Sequence, residues 1–236
     1  MNGTIMLEIK NYNSDILHDI SFQLLRGENL IILGANGAGK TTLAKVLCGL
    51  IKSNSVEING QNPSKIYGKA RSQNINYIPP TLEIFDEFMT AREFLALSQL
   101  SNSFQIDQLL TLLKIEHLSE SFCRELSSGE SGLLLIASAL LHQADYTILD
   151  EPTSNLDPMR IREVFKLLSD PDILESRIII THNLDLAYKL GYDILYLQDG
   201  TIAYGGDNQR FFESDSLNHY FDGSVKKIEN NIVVAL

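Results

Sequence analysis

At 236 residues the chain can form one large domain or a core with an inserted subdomain, and 44% apolar residues supply a packed interior. Nineteen basic residues against 30 acidic ones leave a net charge of −11, which argues against non-specific binding to nucleic acid, whose footprint is a basic face. Cys48 and Cys123 form no metal-like cluster and fit a reducing compartment as small core residues. The most apolar run, Leu133 to Leu141, is about half of what a membrane-spanning helix needs. The N-terminal residues lack the basic-then-apolar layout of a signal peptide, so the sequence reads as cytosolic, with any membrane association made through a partner.

Leu7-Glu8-Ile9 and Ile20 to Leu24 read as strands, with polar Asn11 to Asp15 as the turn between them. Asn29 to Leu33 is a short apolar run that reads as a buried strand, and Thr42 to Cys48 carries its apolar residues at helical spacing. Val56-Glu57-Ile58 followed by Asn59-Gly60 predicts a strand ending in a hairpin turn. Ile75 to Ile78 alternates and stops at Pro79-Pro80. From Thr90 to Leu141 the period changes to a helical one. Strand character returns at Tyr146 to Leu149, Ile178 to Ile180 and Ile194 to Leu197, separated by amphipathic helical segments at Pro158 to Leu168 and Leu184 to Leu190. Asp157-Pro158 is a helix start, an N-cap acid followed by a proline whose missing N–H costs nothing there. The alternation implies an α/β fold with a largely parallel sheet covered by helices, and the helical block at about 85–143 reads as an insertion.

The chemistry begins at Gly34-Ala35-Asn36-Gly37-Ala38-Gly39-Lys40-Thr41, which fits the phosphate-loop pattern G-x-x-x-x-G-K-[ST] between a strand and a helix. Glycines at 34, 37 and 39 permit backbone angles and close approaches that side chains block. Backbone N–H groups and the helix dipole there favour an anion; Lys40 can reach the β- and γ-phosphates, and the Thr41 hydroxyl can ligate Mg²⁺. A nucleoside triphosphate is the expected ligand. Asp150 and Glu151 end the strand Tyr146 to Leu149, where parallel strands gather ligands. Asp150 would hold Mg²⁺, directly or through water, and Glu151 would orient or deprotonate the attacking water.

Three segments carry a family resemblance. Leu126-Ser127-Ser128-Gly129-Glu130 resembles the signature motif of ABC ATPases, Asp150 to Asp157 resembles that family's Walker B and D-loop, and Thr181-His182-Asn183 resembles its switch histidine. Order and spacing are similar from about residue 5 to about 205. The resemblance implies that the whole chain is one ABC ATPase domain: a P-loop NTPase (RecA-like) core at about 1–84 and 144–236, with a helical subdomain at about 85–143. It implies ATP and Mg²⁺ as cofactors, with Gly34, Ala35, Asn36, Gly37, Ala38, Gly39, Lys40, Thr41 and Thr42 on the nucleotide and Thr41 and Asp150 on the metal. Two such domains dimerise head to tail, so that Ser127 and Gly129 contact the γ-phosphate held by the partner, while His182 holds the chain's own γ-phosphate and senses its loss. Lys40, Glu151 and His182 are the catalytic set on that resemblance.

The pattern departs from the family at three places. Pro80 stands where the family usually has a glutamine that helps ligate Mg²⁺ and links the nucleotide to the membrane partner; water or Glu83 are the two replacements. The signature has Ser128 for glycine and Glu130 for glutamine, and a carboxylate there repels a triphosphate unless it points away. Tyr12 is the candidate aromatic for stacking on adenine, in a segment several residues shorter than usual.

The segments Gly200-Thr201-Ile202, Tyr204 to Asp207, Phe211-Phe212 and Ser216 to Phe221 resemble ATPases of iron–siderophore, haem or cobalamin importers. That resemblance implies transmembrane permease subunits, a second ATPase subunit, a separate substrate-binding protein and no nucleic acid, with the chain peripheral on the inner face of the cell membrane. The competing class is a soluble ABC ATPase such as an iron–sulfur cluster assembly factor; a weakly hydrolysing subunit of a heterodimer is a third. Against the third, Lys40, Thr41, Asp150, Glu151 and His182 are all present.

Overall fold

The computed structural model describes residues 6–100 and 104–235. In chain order its elements are β1 (Met6–Tyr12), β2 (Ile20–Leu25), β3 (Leu30–Gly34), α1 (Lys40–Leu47), β4 (Val56–Ile58), α2 (Lys69–Asn74), β5 (Ile75–Ile78), α3 (Ala91–Ser98), α4 (Ile106–Leu113), α5 (Ser128–His142), β6 (Tyr146–Asp150), α6 (Pro158–Ser169), β7 (Arg177–Ile180), α7 (Leu184–Leu190), β8 (Asp193–Gln198), β9 (Thr201–Gly206), α8 (Asn208–Phe211), α9 (Ser214–Phe221), β10 (Val225–Ile228) and β11 (Asn231–Val234). The chain divides into two compact units: residues up to 65 together with those from 178 onward, and residues 66–177.

In the first unit β7, β3, β8 and β9 are neighbours in that order. β3 pairs parallel with both β7 and β8, and β9 closes the edge antiparallel to β8. Every residue of β3 is buried, which is why it reads as a continuous apolar run rather than an alternation. The β8–β9 connection is Asp199-Gly200, both at positive φ (48° and 73°), a two-residue hairpin turn whose twist matches that of the strands. The Asn59-Gly60 turn after β4 has the same character, with φ of 55° and 74°, and β4 joins β1 and β2 in a separate antiparallel sheet. Past β9, the rings of Tyr196, Tyr204, Phe211, Phe212, Tyr220 and Phe221 form one aromatic cluster that seats α8 and α9 on the β8–β9 hairpin. Asn208, buried at the start of α8, donates to the carbonyls of Ala187 and Tyr192 at 2.9 and 3.0 Å. The β10–β11 hairpin leans on α7, where Ile232 N–H donates to Asp185 and Lys189 reaches Asn231.

In the second unit β5 and β6 pair parallel, and α5 is the central helix, packed against α3, α4 and β5. Its Leu133 to Leu141 stretch is buried on every side, so that run is a core helix. Both α3 and α5 open with capping boxes, Thr90 with Glu93 and Ser127 with Glu130. α6 starts as its sequence predicts, with Asp157 accepting from the N–H groups of Met159 and Arg160 and Pro158 in the first turn. Arg177, 2% exposed, closes the other end of α6: its guanidinium donates to the carbonyls of Leu168 and Asp170 at 2.7 and 2.6 Å. Cys48 and Cys123 are both free and buried, as expected of small core residues. Among the described residues no helix is long and apolar enough to cross a membrane.

Candidate nucleotide site

The phosphate loop lies in the first unit. β3 delivers it and α1 receives it, with Gly39 as the N-cap in the left-handed region (φ 96°). The loop is shaped by close approach as much as by backbone freedom. A Cβ on Gly34 would lie 2.6 Å from the Leu197 carbonyl oxygen of β8, and one on Gly39 would lie 2.5 Å from Leu17 Cδ2. Gly37 has open space around it but a φ of 85°, so there the angle alone demands glycine. Leu43, Ala44, Val46 and Leu47 bury the inner face of α1 and anchor the loop's far end.

Lys40 is 7% exposed, and its Nζ donates to the carbonyls of Gly34 (2.8 Å) and Ala35 (3.0 Å). The ammonium therefore lies across the loop that it would share with phosphate, with two loop carbonyls among its partners. Asn36 and Gly37 at the tip are exposed, as is Thr41 one residue into the helix. Beside the loop opens a cleft of about 550 Å³ lined by Asp15, Ile16, the 35–38 tip and the 196–200 segment. The Asp199-Gly200 turn is pinned there, since His18 N–H donates to the Gly200 carbonyl at 2.8 Å and a Cβ on Gly200 would lie 2.1 Å from the Ile16 oxygen. Tyr12, the aromatic considered for adenine, keeps 8% of its surface and pairs opposite Ile20 in the β1–β2 ladder, so it presents no open ring face. Ile16, 48% exposed, and Tyr196 are among the side chains that line the cleft.

His182 belongs to the same unit. β7 runs parallel beside β3, with Ile180 opposite Ile32, so both strands end at the same edge of the sheet. Thr181 follows, fully buried, with its N–H donating to the Ile32 carbonyl at 3.2 Å and its hydroxyl accepting from Asn183 N–H at 3.0 Å. Asn183 in turn caps α7 through Leu186 N–H. These bonds fix the backbone on both sides of His182, whose ring is exposed.

The second unit holds the acidic pair and the signature segment. All of β6 is buried down to Asp150, which is 2% exposed and accepts a hydrogen bond from the Tyr77 hydroxyl at 2.9 Å on Oδ2. Tyr77 is a site neighbour that motif reading misses, because the only signal for it is its register opposite Ile148. Glu151 takes a left-handed backbone (φ 50°) directly after the strand and starts the turn closed by Ser154 N–H to its carbonyl. Pro80 contributes no donor; together with Glu151, Pro152 and Asn155 it lines a crevice of about 10 Å³, about the space of a single water. Glu83 is exposed.

Ser127 caps α5, exposed at the helix start. Glu130 does not project outward; its Oε2 accepts from the Ser127 N–H and hydroxyl at 2.8 and 2.7 Å. Those bonds, first the side-chain one, hold the Glu130 carboxyl below the ordinary carboxylate range. Gly129 has a packing reason of its own, since a Cβ there would meet the Asn155 carbonyl at 3.1 Å, so the signature helix and the segment after Glu151 approach each other through this glycine.

Thr41 in the first unit carries a hydroxyl oxygen and Asp150 in the second a carboxylate, each a donor type that suits a hard divalent cation. Among the described residues no group of three or more His, Cys, Asp or Glu could cage a metal.

Comparison with known proteins agrees with this geometry. The ABC transporter family profile matches residues 17–154. The zinc import ATP-binding protein ZnuC of Buchnera aphidicola is 32% identical over 187 residues, covering 78% of this chain and 75% of that protein. The energy-coupling factor transporter ATP-binding protein EcfA1 of Fusobacterium nucleatum is 31% identical over 248 residues, covering 97% and 93%. A solved ATP-binding subunit of an ABC transporter superposes with a TM-score of 0.77 at 27% identity, covering 92% of this chain and 93% of that one. With more than half of its length matched by the profile and relatives above 30% identity that it nearly spans, the chain belongs to the ABC transporter family as an ATP-binding, ATP-hydrolysing domain.

Proposed function

We propose that this ATPase domain drives an importer, working as one of two ATPase subunits that close head to tail on ATP beneath transmembrane permease subunits. The observation that carries the reading is the phosphate loop: a buried lysine laid across a turn that only glycines can make, between a buried strand and a helix N-terminus. In this reading residues 34–42 cradle the triphosphate, and Lys40 exchanges its carbonyl partners for β- and γ-phosphate oxygens. Thr41 and Asp150 hold Mg²⁺, which when bound neutralises charge on the phosphate oxygens. Glu151 orients and deprotonates the attacking water, a role worth about 10²–10⁴ in rate. His182 holds the γ-phosphate from the neighbouring strand end, and Ser127 and Gly129 meet the partner's. The core comprises about 1–84 and 144–236 and the helical subdomain about 85–143.

Import as the direction is supported by the name of one relative, a zinc import ATP-binding protein. A metal chelate as cargo, delivered by a separate substrate-binding protein, is supported by the resemblance of the 200–221 segment. The chain then sits on the inner face of the membrane through its permease and has no nucleic-acid partner. The test is to tag the Glu151→Gln variant, expected to hold ATP and the closed dimer, and purify it from detergent-solubilised native membranes for mass spectrometry. Recovery of a many-span membrane protein is expected, and its family narrows the cargo. Recovery of soluble proteins alone overturns the transporter reading in favour of an assembly factor.

A further inference from the structure

No motif in the sequence gives Tyr77 a role, yet its hydroxyl touches the buried carboxylate at the end of β6. The contact follows from register. Tyr77 pairs opposite Ile148 and Ile78 opposite Leu149 in the parallel β5–β6 ladder. Side chains alternate along a strand, so Tyr77, Ile148 and Asp150 share one face. A phenol is long enough to pass its direct neighbour and reach the next residue on that face, and it does so at 2.9 Å from Asp150 Oδ2.

We infer that Tyr77 is a positioning residue for the cation: its hydroxyl fixes the plane of the Asp150 carboxylate, so that β6 offers Mg²⁺ one oxygen geometry. The inference rests on Asp150 being the cation's protein ligand. The terminal torsion of an aspartate is broad and two-fold, so an unrestrained carboxylate rocks between orientations. Asp150 is 2% exposed, so bulk water is not what orients it. The Tyr77 hydroxyl at Oδ2 contributes to that orientation, in the way outer partners orient metal-ligating carboxylates elsewhere. The need is sharper in this chain because Pro80 brings no side-chain oxygen to share the cation. A tyrosine that only fills space would work equally well as phenylalanine, which has the same ring and lacks only the hydroxyl.

The experiment measures Mn²⁺ affinity by electron paramagnetic resonance in the presence of ATP, on full-length protein carrying Glu151→Gln to prevent turnover. Four forms are compared: that parent, Tyr77→Phe, Asp150→Asn and the double variant. Tyr77→Phe is expected to weaken Mn²⁺ about tenfold, as removal of an outer-shell partner does. ATP affinity in EDTA should stay at the parent's value, and the thermal midpoint should fall only modestly for the lost hydrogen bond, so that both forms are folded at the assay temperature. Tyr77→Phe should add nothing to the Mn²⁺ loss once Asp150→Asn is present. Unchanged Mn²⁺ affinity in Tyr77→Phe overturns the inference, as does an equal loss on top of Asp150→Asn. If Asp150→Asn itself leaves Mn²⁺ affinity untouched, the metal-ligand reading of Asp150 fails, and Tyr77 loses its role with it.

Discussion

At Glu151 the proposed role and backbone comfort conflict. It is not a glycine, asparagine or aspartate, yet it holds a φ of 50°. A left-handed L-residue costs about 1–2 kcal/mol, which asparagine largely avoids. Strain of this kind persists where the surrounding structure over-determines it, here between a fully buried strand and the turn closed by Ser154. Glu151→Asn is therefore expected to raise the unfolding free energy by about 1 kcal/mol while losing hydrolysis, a stability–activity exchange readable by urea titration beside a phosphate-release assay. An unchanged or lowered urea midpoint would remove the strain argument. The sequence displays a glutamate after a strand; it does not display the angle, which arises only when the chain must turn at that point.

Among the elements, α5 shows which helix ends can be read and which cannot. Its start carries the Ser127-x-x-Glu130 pattern and forms the capping box that the pattern encodes. Its end has no glycine; Gln143 takes the left-handed position instead (φ 54°) and its amide donates to the Ile173 carbonyl at 2.9 Å, so the stop is a tertiary decision. One residue earlier, His142 Nε2 lies 2.7 Å from the Ser72 carbonyl at the α2 helix. A carbonyl only accepts, so that nitrogen carries the proton. Burial lowers the His142 pKa, and the hydrogen bond to Ser72 raises it by less. The folded protein thus takes up this proton at lower pH than the unfolded chain, which titrates near 6.5. Stability from this site is full above about pH 6.5 and is lost as pH falls through the folded value. Thermal midpoints measured from pH 7.5 to 5 should fall more steeply for the native sequence than for His142→Gln, whose amide keeps a donor for Ser72. Parallel slopes would show that His142 does not couple α5 to pH.

For the whole molecule, ATP on the proposed loop would be a ligand of the folded state, since the loop's shape depends on tertiary neighbours, Leu197 of β8 beside Gly34 and Leu17 beside Gly39. Mass action then stabilises the fold by about 2.7 kcal/mol at a hundredfold excess over Kd. For a chain of this size that is about 5–10 °C in the thermal midpoint. Saturating ATP should produce such a rise in the native sequence and none in Lys40→Ala. A rise of equal size in Lys40→Ala would separate nucleotide binding from the loop altogether. The acidic balance of the chain does not oppose this, since the loop attracts anions through local N–H groups and one buried ammonium rather than through net charge.

What the sequence determined by itself are the features whose cause is local. A glycine pattern between an apolar run and a helical period specifies a phosphate loop; Asp157-Pro158 specifies a helix start; Asn59-Gly60 specifies a hairpin turn. Asp199-Gly200 carries the same turn signal, although β9, α8, α9 and the β10–β11 hairpin gain their places from a shared aromatic cluster and from α7 rather than from any periodicity. Only the tertiary structure decided that Tyr12 is a core residue, that Glu130 turns back onto Ser127, that Gly129 makes room for Asn155, and that Tyr77 meets Asp150. Each of those is an approach between groups whose meeting depends on strand register, burial or a neighbouring segment. Spacing along the chain encodes which chemistry is present, while the direction in which a side chain points is settled by what packs against it.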